Sequence, residues 1–433
     1  MNKSLLRQEE TGSGRWRFRM LETIREYALE RLLESGEMER MRRQHAGYFA
    51  TVSEEAGRKL FSSEASHWLA KLETEHDNLR AALDWSQVVP DGIEIGPRIV
   101  GSIWWFWYRR GYLSEGRDRF ERVLALTDLA TPTATRASML FGGGLLAMWQ
   151  GSLAVARPMI EESVTMWRWL ENGLGLALAL MGNGVLLINQ GDDLAAGPLL
   201  EESLAISQEF KLGWLQAVIL MHLGNVAMGL GDYAQARLWL EKSSSLAYRF
   251  GDNWVIASVL NNLGELARCL QEYDRARGYY EESGALFREI GDKPDVARSI
   301  HSLGYVTQNQ GDPGRAKTCF QESMTMFREL GNKRGLAECL AGLAGLALEQ
   351  SQLQRAGRLL GMAESLLGTL GAAWWPADRI EYERTLAILR TNLDDEAFVA
   401  VWTEGAALTL EQAIVYALDD IGAGPPTRRV AQH

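Results

Sequence analysis

Apolar residues recur at helical spacing along most of this chain. Leucine and alanine follow one another at i, i+3, i+4 and i+7, as in Leu260, Leu263, Leu266 and Ala267. On a helix this spacing forms one apolar stripe that faces a partner helix. The pattern therefore predicts a succession of amphipathic helices packed side by side.

Short sequence markers recur along the chain with a 40-residue period. Five types of marker keep one register, two of them over six units, which chance would not produce. A turn signal begins at Gly151, Gly191, Gly231, Gln271, Gly311 and Ser351. An alanine follows each of these turns at a constant distance, at Ala156, Ala196, Ala236, Ala276, Ala316 and Ala356. Two polar residues precede a serine at Ser163, Ser203, Ser243, Ser283 and Ser323, and Leu-Gly pairs end at Gly224, Gly264 and Gly304. A second turn lies at Gly251, Gly291, Gly331 and Gly371.

Two turns in each unit leave room for two helices of about 15 residues. Glycine near a helix end can take the left-handed conformation that stops the helix, and a following Asp can cap the next one. A single helical hairpin cannot bury its apolar face, so neighbouring units must stack. The sequence therefore predicts an all-α, right-handed α-solenoid over residues 95–370.

The repeat resembles the tetratricopeptide pattern, with Leu-Gly in the first helix and alanine and an aromatic residue in the second. The residues that carry the resemblance are Leu263, Gly264, Tyr273, Ala276, Tyr280 and Ser283. The usual unit has about 34 residues. The additional residues of this longer unit would lengthen the helices by about a turn and a half in total.

The flanking segments resemble large bacterial regulators that couple a signal-transduction ATPase module to tetratricopeptide repeats. Residues 17–28 are similar to the motif that closes a winged-helix element behind the ATPase, and residues 75–83 to the helices leading into the repeats. The resemblance implies that residues 1–94 hold a winged-helix remnant and lead-in helices, with Lys3 to Arg7 as the last trace of the winged helix. Residues 396–413 resemble the end of the sensor region in LuxR-type members, so 371–433 are expected to form capping helices and a disordered tail.

The residues that perform the chemistry of these regulators are missing from this sequence. No GxxxxGK[ST] motif for binding nucleotide phosphates occurs, and no helix-turn-helix pattern follows Pro425 and Pro426. ATP hydrolysis and DNA binding are therefore not transferred from the resemblance. Two alternatives stay open: a fragment of a longer regulator, or a gene that has lost both ends.

The composition of the chain argues against nucleic acid as a partner and indicates the cellular compartment. The formal net charge of −11 argues against a nucleic-acid surface, and the arginines near the start of the chain are interleaved with glutamates. Cys269, Cys319 and Cys339 have no CxxC spacing, which fits a reducing cytoplasm. Three uncharged windows, 137–156, 172–191 and 212–231, contain amide side chains and follow the repeat, so we expect repeat helices and no membrane spans.

Candidate chemistry is sparse. The six histidines lack metal-ligand spacing, and His76 is predicted to make a structural contact at a helix start. The aromatic block 104–108 would point all round a helix and is interpreted as buried packing at the joint with the first repeat. Trp374, Trp375 and Pro376 are expected to shield the last hairpin. We predict no catalytic, cofactor-binding or metal-binding residue and no cofactor.

The predicted functional surface is the inner face of the superhelix, which the first helix of each pair lines in tetratricopeptide arrays. A cluster of hydrogen-bonding and charged groups falls there and suits the clamping of an extended peptide. Its members are Asn225, Asn261, Glu265, Arg268, Arg298, His301, Tyr305 and Gln308. The sequence therefore predicts a non-enzymatic sensor or scaffold that binds a protein or peptide, with its own missing ATPase domain as another candidate partner. The alternatives are a regulator that binds DNA directly and an enzyme whose site leaves no linear motif.

Overall fold

The computed structural model of the chain describes residues 6–10, 16–62, 64–89, 92–126 and 133–419. A short hairpin of β1 (Leu6–Glu10) and β2 (Trp16–Met20), with Leu6 opposite Met20, precedes the helices. The lead-in helices are α1 (Glu22–Glu34), α2 (Met38–Lys59), α3 (Ala65–Thr74) and α4 (His76–Ser86). Lys3 and the tail beyond residue 419, which the sequence predictions include, lie outside the described residues.

The described residues next form seven helical hairpins in succession. They are α5 (Ile95–Arg110) with α6 (Leu113–Leu126), α7 (Ala134–Trp149) with α8 (Leu153–Trp169), α9 (Gly173–Gln190) with α10 (Asp193–Glu209), α11 (Gly213–Gly229) with α12 (Tyr233–Phe250), α13 (Asn253–Cys269) with α14 (Tyr273–Ile290), α15 (Lys293–Asn309) with α16 (Pro313–Glu329), and α17 (Lys333–Glu349) with α18 (Leu353–Leu370). From α8 to α18 the helices begin at a constant interval along the chain, which is half of the repeat period. The predicted all-α solenoid of tetratricopeptide-like hairpins with a 40-residue period is confirmed, with repeat helices of 14 to 18 residues.

The glycine of each Leu-Gly pair makes room for a large side chain on the second helix. A Cβ added at Gly264 would lie 2.6 Å from the Tyr280 ring, and one at Gly304 would lie 2.6 Å from the Phe320 ring. Both rings are completely buried. The sequence predicts a small residue here because the helices approach closely, and the structure shows that an aromatic ring of the second helix takes the space.

Four serines of the serine column each join the two helices of one hairpin through a buried hydrogen bond, whereas Ser323 lies against Cys339 of the next hairpin. Ser243 Oγ donates to the carbonyl of Ala217 at 2.6 Å, and Ser283 Oγ donates to the carbonyl of Ala257 at 2.8 Å. The same bond occurs from Ser163 and Ser203. A buried hydroxyl needs a partner, and a helical carbonyl can accept a second hydrogen bond, so serine is suited to this position.

Helix ends follow the predicted turn chemistry. Gly251 and Gly291 have left-handed φ angles of 67° and 73°, and Asp252 and Asp292 accept hydrogen bonds from the first backbone N–H groups of α13 and α15. In the other turn of the repeat, Gln271 stands where Gly231 and Gly311 stand in the neighbouring units, and it has a left-handed φ of 60°. Glycine is favoured at such a position because it has no Cβ.

The solenoid curves until its first hairpin meets its sixth. Arg109 Nε on α5 lies 2.7 Å from Asp292 Oδ2 at the start of α15, without the alignment of a hydrogen bond, and both side chains are almost fully buried. Arg110 donates to the carbonyl of Ile290 beside this pair. The contact joins residues that are far apart in the sequence, so the inner face encloses a space instead of forming an open groove.

Three helices complete the described chain: α19 (Pro376–Asn392), α20 (Asp395–Ala406) and α21 (Leu410–Leu418). Helix α20 packs against α18, where Val401 and Gly405 are buried and Gly405 meets the backbone of Arg358. Helix α19 turns back instead and lies against α13 and α17, the inner-face helices. The chain therefore places a segment of its own inside the superhelix.

Candidate functional site

The inner face of the superhelix holds an extended stretch of the chain, residues 372–375. The backbone N–H of Ala373 donates to the carbonyl of Asn189 at 2.9 Å, and Arg334 donates to the carbonyl of Ala373 at 2.6 Å. The guanidinium groups of Arg298 and Arg334 lie 4.4 and 4.1 Å from the centre of the Trp375 ring. Backbone hydrogen bonds and cation–π contacts are the means by which a groove grips an extended peptide.

Helix α19 continues this occupied region through a buried ion pair and a further hydrogen bond to inner-face helices. Arg268 donates to Asp378 at 2.9 Å, and both side chains are at most 3% exposed. Asn309 donates to Glu381 at 3.0 Å. Burial alone would raise the pKa of Asp378, but the charges of Arg268, His301 and Arg298 outweigh it and hold that pKa below its usual value. The carboxylate is thus ionised and anchors the start of α19 on α13.

The eight residues predicted from the sequence all lie on the inner helices α11, α13 and α15, and seven of them are buried. The structure divides them into two groups. Near α19 lie Glu265, Arg268, His301, Tyr305 and Gln308. Around an internal cavity next to Trp375 lie Asn225, Asn261 and Arg298. A partner that approached the first group would meet α19 there, an obstacle that the repeat pattern does not reveal.

The internal cavity has a volume of about 200 Å³ and an aromatic wall. Its tryptophans come from α5, α7, α11, α13 and the segment before α19: Trp104, Trp105, Trp149, Trp214, Trp254 and Trp375. Most of the repeat residues that line it belong to the first helix of a pair, and the second helices contribute Leu113, Leu153, Phe287 and Phe327. The enclosed space is therefore a product of the superhelical closure.

Polar groups from three inner helices also line this cavity. His222 and Asn225 come from α11, Asn261 from α13 and Arg298 from α15. The Oδ1 atom of Asn225 is buried without a hydrogen-bond partner among the described residues. Burial, together with the nearby charge of Arg298, lowers the pKa of His222 to about 4. The imidazole is therefore neutral at physiological pH and can donate one hydrogen bond and accept another.

The charged residues of the cavity differ in how they are paired. Glu338 accepts from Arg334 at 2.8 Å. Asp295 accepts from Trp254 Nε1 at 3.3 Å and from the Tyr108 hydroxyl at 3.5 Å, and burial raises its pKa. Among the described residues Arg298 makes no hydrogen bond or ion pair, and its close contact is the Trp375 ring. The cavity thus holds a cation that no carboxylate contacts directly, although the nearby charges of Glu265, Glu338, Asp295 and Asp378 offset its burial and raise its pKa.

Three buried side chains lie close enough together to suggest a metal site. His301, Glu338 and Asp378 can bring ligand atoms within 4.8 Å of one another. However, Asp378 is bound by Arg268 and Glu338 by Arg334. These arginines oppose a further cation, so the arrangement is better described as an ion-paired cluster.

The other residues singled out from the sequence have structural surroundings. His76 begins α4, and its Nε2 lies 3.2 Å from Glu115, which also accepts two hydrogen bonds from Arg80. This agrees with the predicted structural contact. The five aromatic residues 104–108 are all buried, as expected, but three of them also line the cavity. Trp375 is expected at the end of the array and lies inside the superhelix instead, while Trp374 stacks on Tyr382 of α19.

Sequence reasoning missed His222, Arg334 and Glu338 as inner-face residues. Glu338 follows the register of the predicted set, since it stands one repeat after Arg298. His222 and Arg334 stand one repeat from Asn262 and Pro294, which the predicted set does not include. Extending the predicted positions by one repeat would therefore have found Glu338 alone. The register could not show that residues 372–375 lie against them.

One described helix, α9, has the length and hydropathy of a membrane span. Somewhat more than half of its 18-residue window, 56%, is buried inside the protein. It packs between the helices of its own and neighbouring hairpins and carries Asn183 and Asn189. These properties are those of a core helix in a repeat array.

Comparisons with known proteins agree with this architecture. A family model for the tetratricopeptide repeat matches residues 215–289 and 255–329. HTH-type transcriptional regulators of Mycobacterium bovis and Mycobacterium tuberculosis are 31% identical over 188 residues. The match covers 42% of this chain and 21% of each regulator, so the chain spans about a fifth of the length of these relatives.

Two solved structures share the fold at 13% sequence identity. A Rap protein complexed with competence and sporulation factor has a TM-score of 0.54, covering 81% of this chain and 98% of that one. NprR in complex with its cognate peptide NprX has a TM-score of 0.50, covering 79% and 99%. The repeat match, the regulator relatives and these folds together fit a tetratricopeptide-repeat sensor region of a transcriptional regulator.

Proposed function

We propose that this chain senses a peptide or protein segment on the inner face of its superhelix and passes the signal to a transcriptional regulator. The observation that supports the proposal most strongly is the segment 372–375, which the inner face already holds through backbone and cation–π contacts. A tetratricopeptide array is an interaction scaffold, and the similar Rap and NprR proteins are in complex with competence and sporulation factor and with the peptide NprX, respectively. We assign no catalytic activity to the chain and propose that the chain acts in the cytoplasm.

The partner would bind beside the internal segment or take its place. Asn225, Asn261 and Arg298 are accessible from the cavity, whereas Arg268 and His301 become accessible only when α19 moves. Ligand occupancy would then select one position of α19 over another. Such a shift at α19 would alter the surface that the repeats present to the rest of a regulator.

A direct test uses the full chain and a phage library of random peptides. Selected peptides are synthesised and titrated by calorimetry into the wild type, Asn261→Ala and Arg298→Ala. We expect each substitution to weaken binding by about tenfold or more, because it removes a polar contact from a desolvated site. Arg249→Ala on the outer helix α12 is the matched control and should bind as the wild type does. Equal affinity in all four proteins would refute the assignment to the inner face.

We also propose that α1 contacts another domain of a longer regulator, for which the ATPase module is the candidate. None of the α1 side chains is buried, and Tyr27, Leu29 and Leu33 are exposed. Apolar side chains left in water along one helix commonly mark an interaction surface. Hydrogen exchange can compare this chain with a longer protein that includes an ATPase module. Slower exchange of the α1 amides in the longer protein would support the proposal, and unchanged exchange would contradict it.

A further inference from the structure

The cavity beside Trp375 has its own chemistry, distinct from that of an extended peptide groove. It is walled by indole rings, it opens in part to solvent, and its volume of about 200 Å³ suits a compact molecule. Apolar cavities of about 150 Å³ in proteins can take up benzene. A group of one or two aromatic rings therefore matches the space and the wall.

The polar residues of the lining determine which aromatic molecule fits. Both carboxylates in the lining, Asp295 and Glu338, already accept hydrogen bonds from Trp254 and Arg334. Arg298 lacks such a partner among the described residues, although a guanidinium can donate five hydrogen bonds. Its planar fork matches a carboxylate in a two-point contact.

Two neutral groups on α11 can assist in holding such an anion. The Asn225 side chain is 7% exposed, lines the cavity, and has an Oδ1 atom without a partner among the described residues. His222 stands one helical turn before it and also lines the cavity. A carboxylate can accept hydrogen bonds from the Nδ2 group of Asn225 and from an imidazole N–H. The unpartnered Oδ1 atom of Asn225 is itself an acceptor and would take a hydrogen bond from a donor group of the ligand.

From this arrangement we propose that the cavity binds a compact aromatic carboxylate, with the ring between the tryptophans and the carboxylate on Arg298. The same chemistry can come from a free aromatic acid or from the C-terminal aromatic residue of a peptide. Only the peptide source rests on the proposed function described above. Trp375 forms part of the wall, so the bound molecule would also contact the segment that leads into α19.

The test titrates the full chain with a matched panel by calorimetry. The panel holds phenylacetate, indole-3-acetate and naphthoate with their primary amides, and the tripeptide Gly-Gly-Trp with a free or an amidated C-terminus. We expect at least one free carboxylate to bind about 10- to 100-fold more tightly than its amide, since hydrogen bonds to charged groups are the stronger ones. Binding of free acids alone identifies a small molecule as the source, and binding of the tripeptide acid identifies a peptide end. If no acid binds better than its amide, the proposal is overturned.

Two variants test the assignment to particular residues. Arg298→Gln should remove the preference for the acid and leave the weak affinity for the amide. Asn225→Asp keeps the shape of the side chain and adds a negative charge, so it should also abolish acid binding. Arg249→Gln on α12 is the matched control, and circular dichroism with thermal melting shows whether each variant is folded. Acid preference that persists in both folded inner-face variants would overturn the site.

Discussion

The buried pair between Arg268 and Asp378 should determine whether α19 stays on the inner face. The substitution Asp378→Asn keeps the shape of the side chain and removes its charge. Arg268, whose side chain is 2% exposed, then loses the carboxylate that lies 2.9 Å from its guanidinium group. Removing one partner of a buried pair costs about 3 to 5 kcal/mol. Glu265 lies 3.5 Å from Arg268 and would compensate in part, so we expect a loss of about 3 kcal/mol.

Two measurements separate the effect on α19 from a general loss of stability. Urea unfolding gives the midpoint for the whole array, and hydrogen exchange gives the opening of residues 376–392. We expect Asp378→Asn to speed exchange in α19 more than in α12. A double-mutant cycle with Arg268→Met should give a coupling energy of about 2 kcal/mol, because the two side chains touch.

The pH dependence supplies a further check on the same pair. The pKa of Asp378 is lowered in the folded chain, so its ionised form contributes stability that is present above the unfolded pKa of about 4 and is lost as pH falls below it. Asp378→Asn should lose this part of the acid sensitivity. Asp118→Asn is the control, because Asp118 pairs with Arg122 at the surface, where a pair is worth at most about 1 kcal/mol. If Asp378→Asn and this control have the same urea-unfolding midpoint and the same rate of hydrogen exchange in α19, the reasoning about the internal segment is wrong.

Three further predictions concern the repeat itself and the helices that lead into it. Gly264→Ala should destabilise the chain by about 1 to 3 kcal/mol in thermal unfolding, because the new methyl group meets the Tyr280 ring. Gly278→Ala is the control: a Cβ there has no atom within 4 Å, so this variant should be more stable than the wild type by up to about 1 kcal/mol. Equal effects of the two substitutions would refute the packing argument. Ser243→Ala should cost about 1 kcal/mol in urea unfolding through its lost bond to Ala217, while exposed Ser245→Ala should be near neutral. Burial disfavours the ionised form of Glu115, but hydrogen bonds from Arg80 and the nearby His76 hold its pKa at about 2. The stability that the ionised Glu115 contributes is present above about pH 4 and is lost towards pH 2. Thermal melting between pH 5 and pH 2 should therefore show that Glu115→Gln loses about 1 kcal/mol less stability than the wild type does, after allowance for solvent screening. Parallel curves of stability against pH for the two proteins would contradict this.

The repeat pattern could be predicted from the sequence because its causes are local. A helix of fixed length, a glycine in the left-handed conformation and a capping Asp each depend on a few neighbouring residues, and their regular return fixes how successive hairpins stack. The same register placed Asn225, Asn261 and Arg298 on inner helices, as the structure shows. The aromatic block of α5 could likewise be predicted to be buried.

The tertiary structure alone decided what lies inside the superhelix. The contact of Arg109 with Asp292 depends on the small rotation that accumulates over successive hairpins, and no single repeat records that sum. The return of Trp375 and α19 depends on ion pairs such as Arg268 with Asp378, whose partners are distant in the sequence. Local sequence patterns determine the helices and their pairing. Contacts between distant parts of the chain determine which inner side chains pack against α19 and which remain accessible to a ligand.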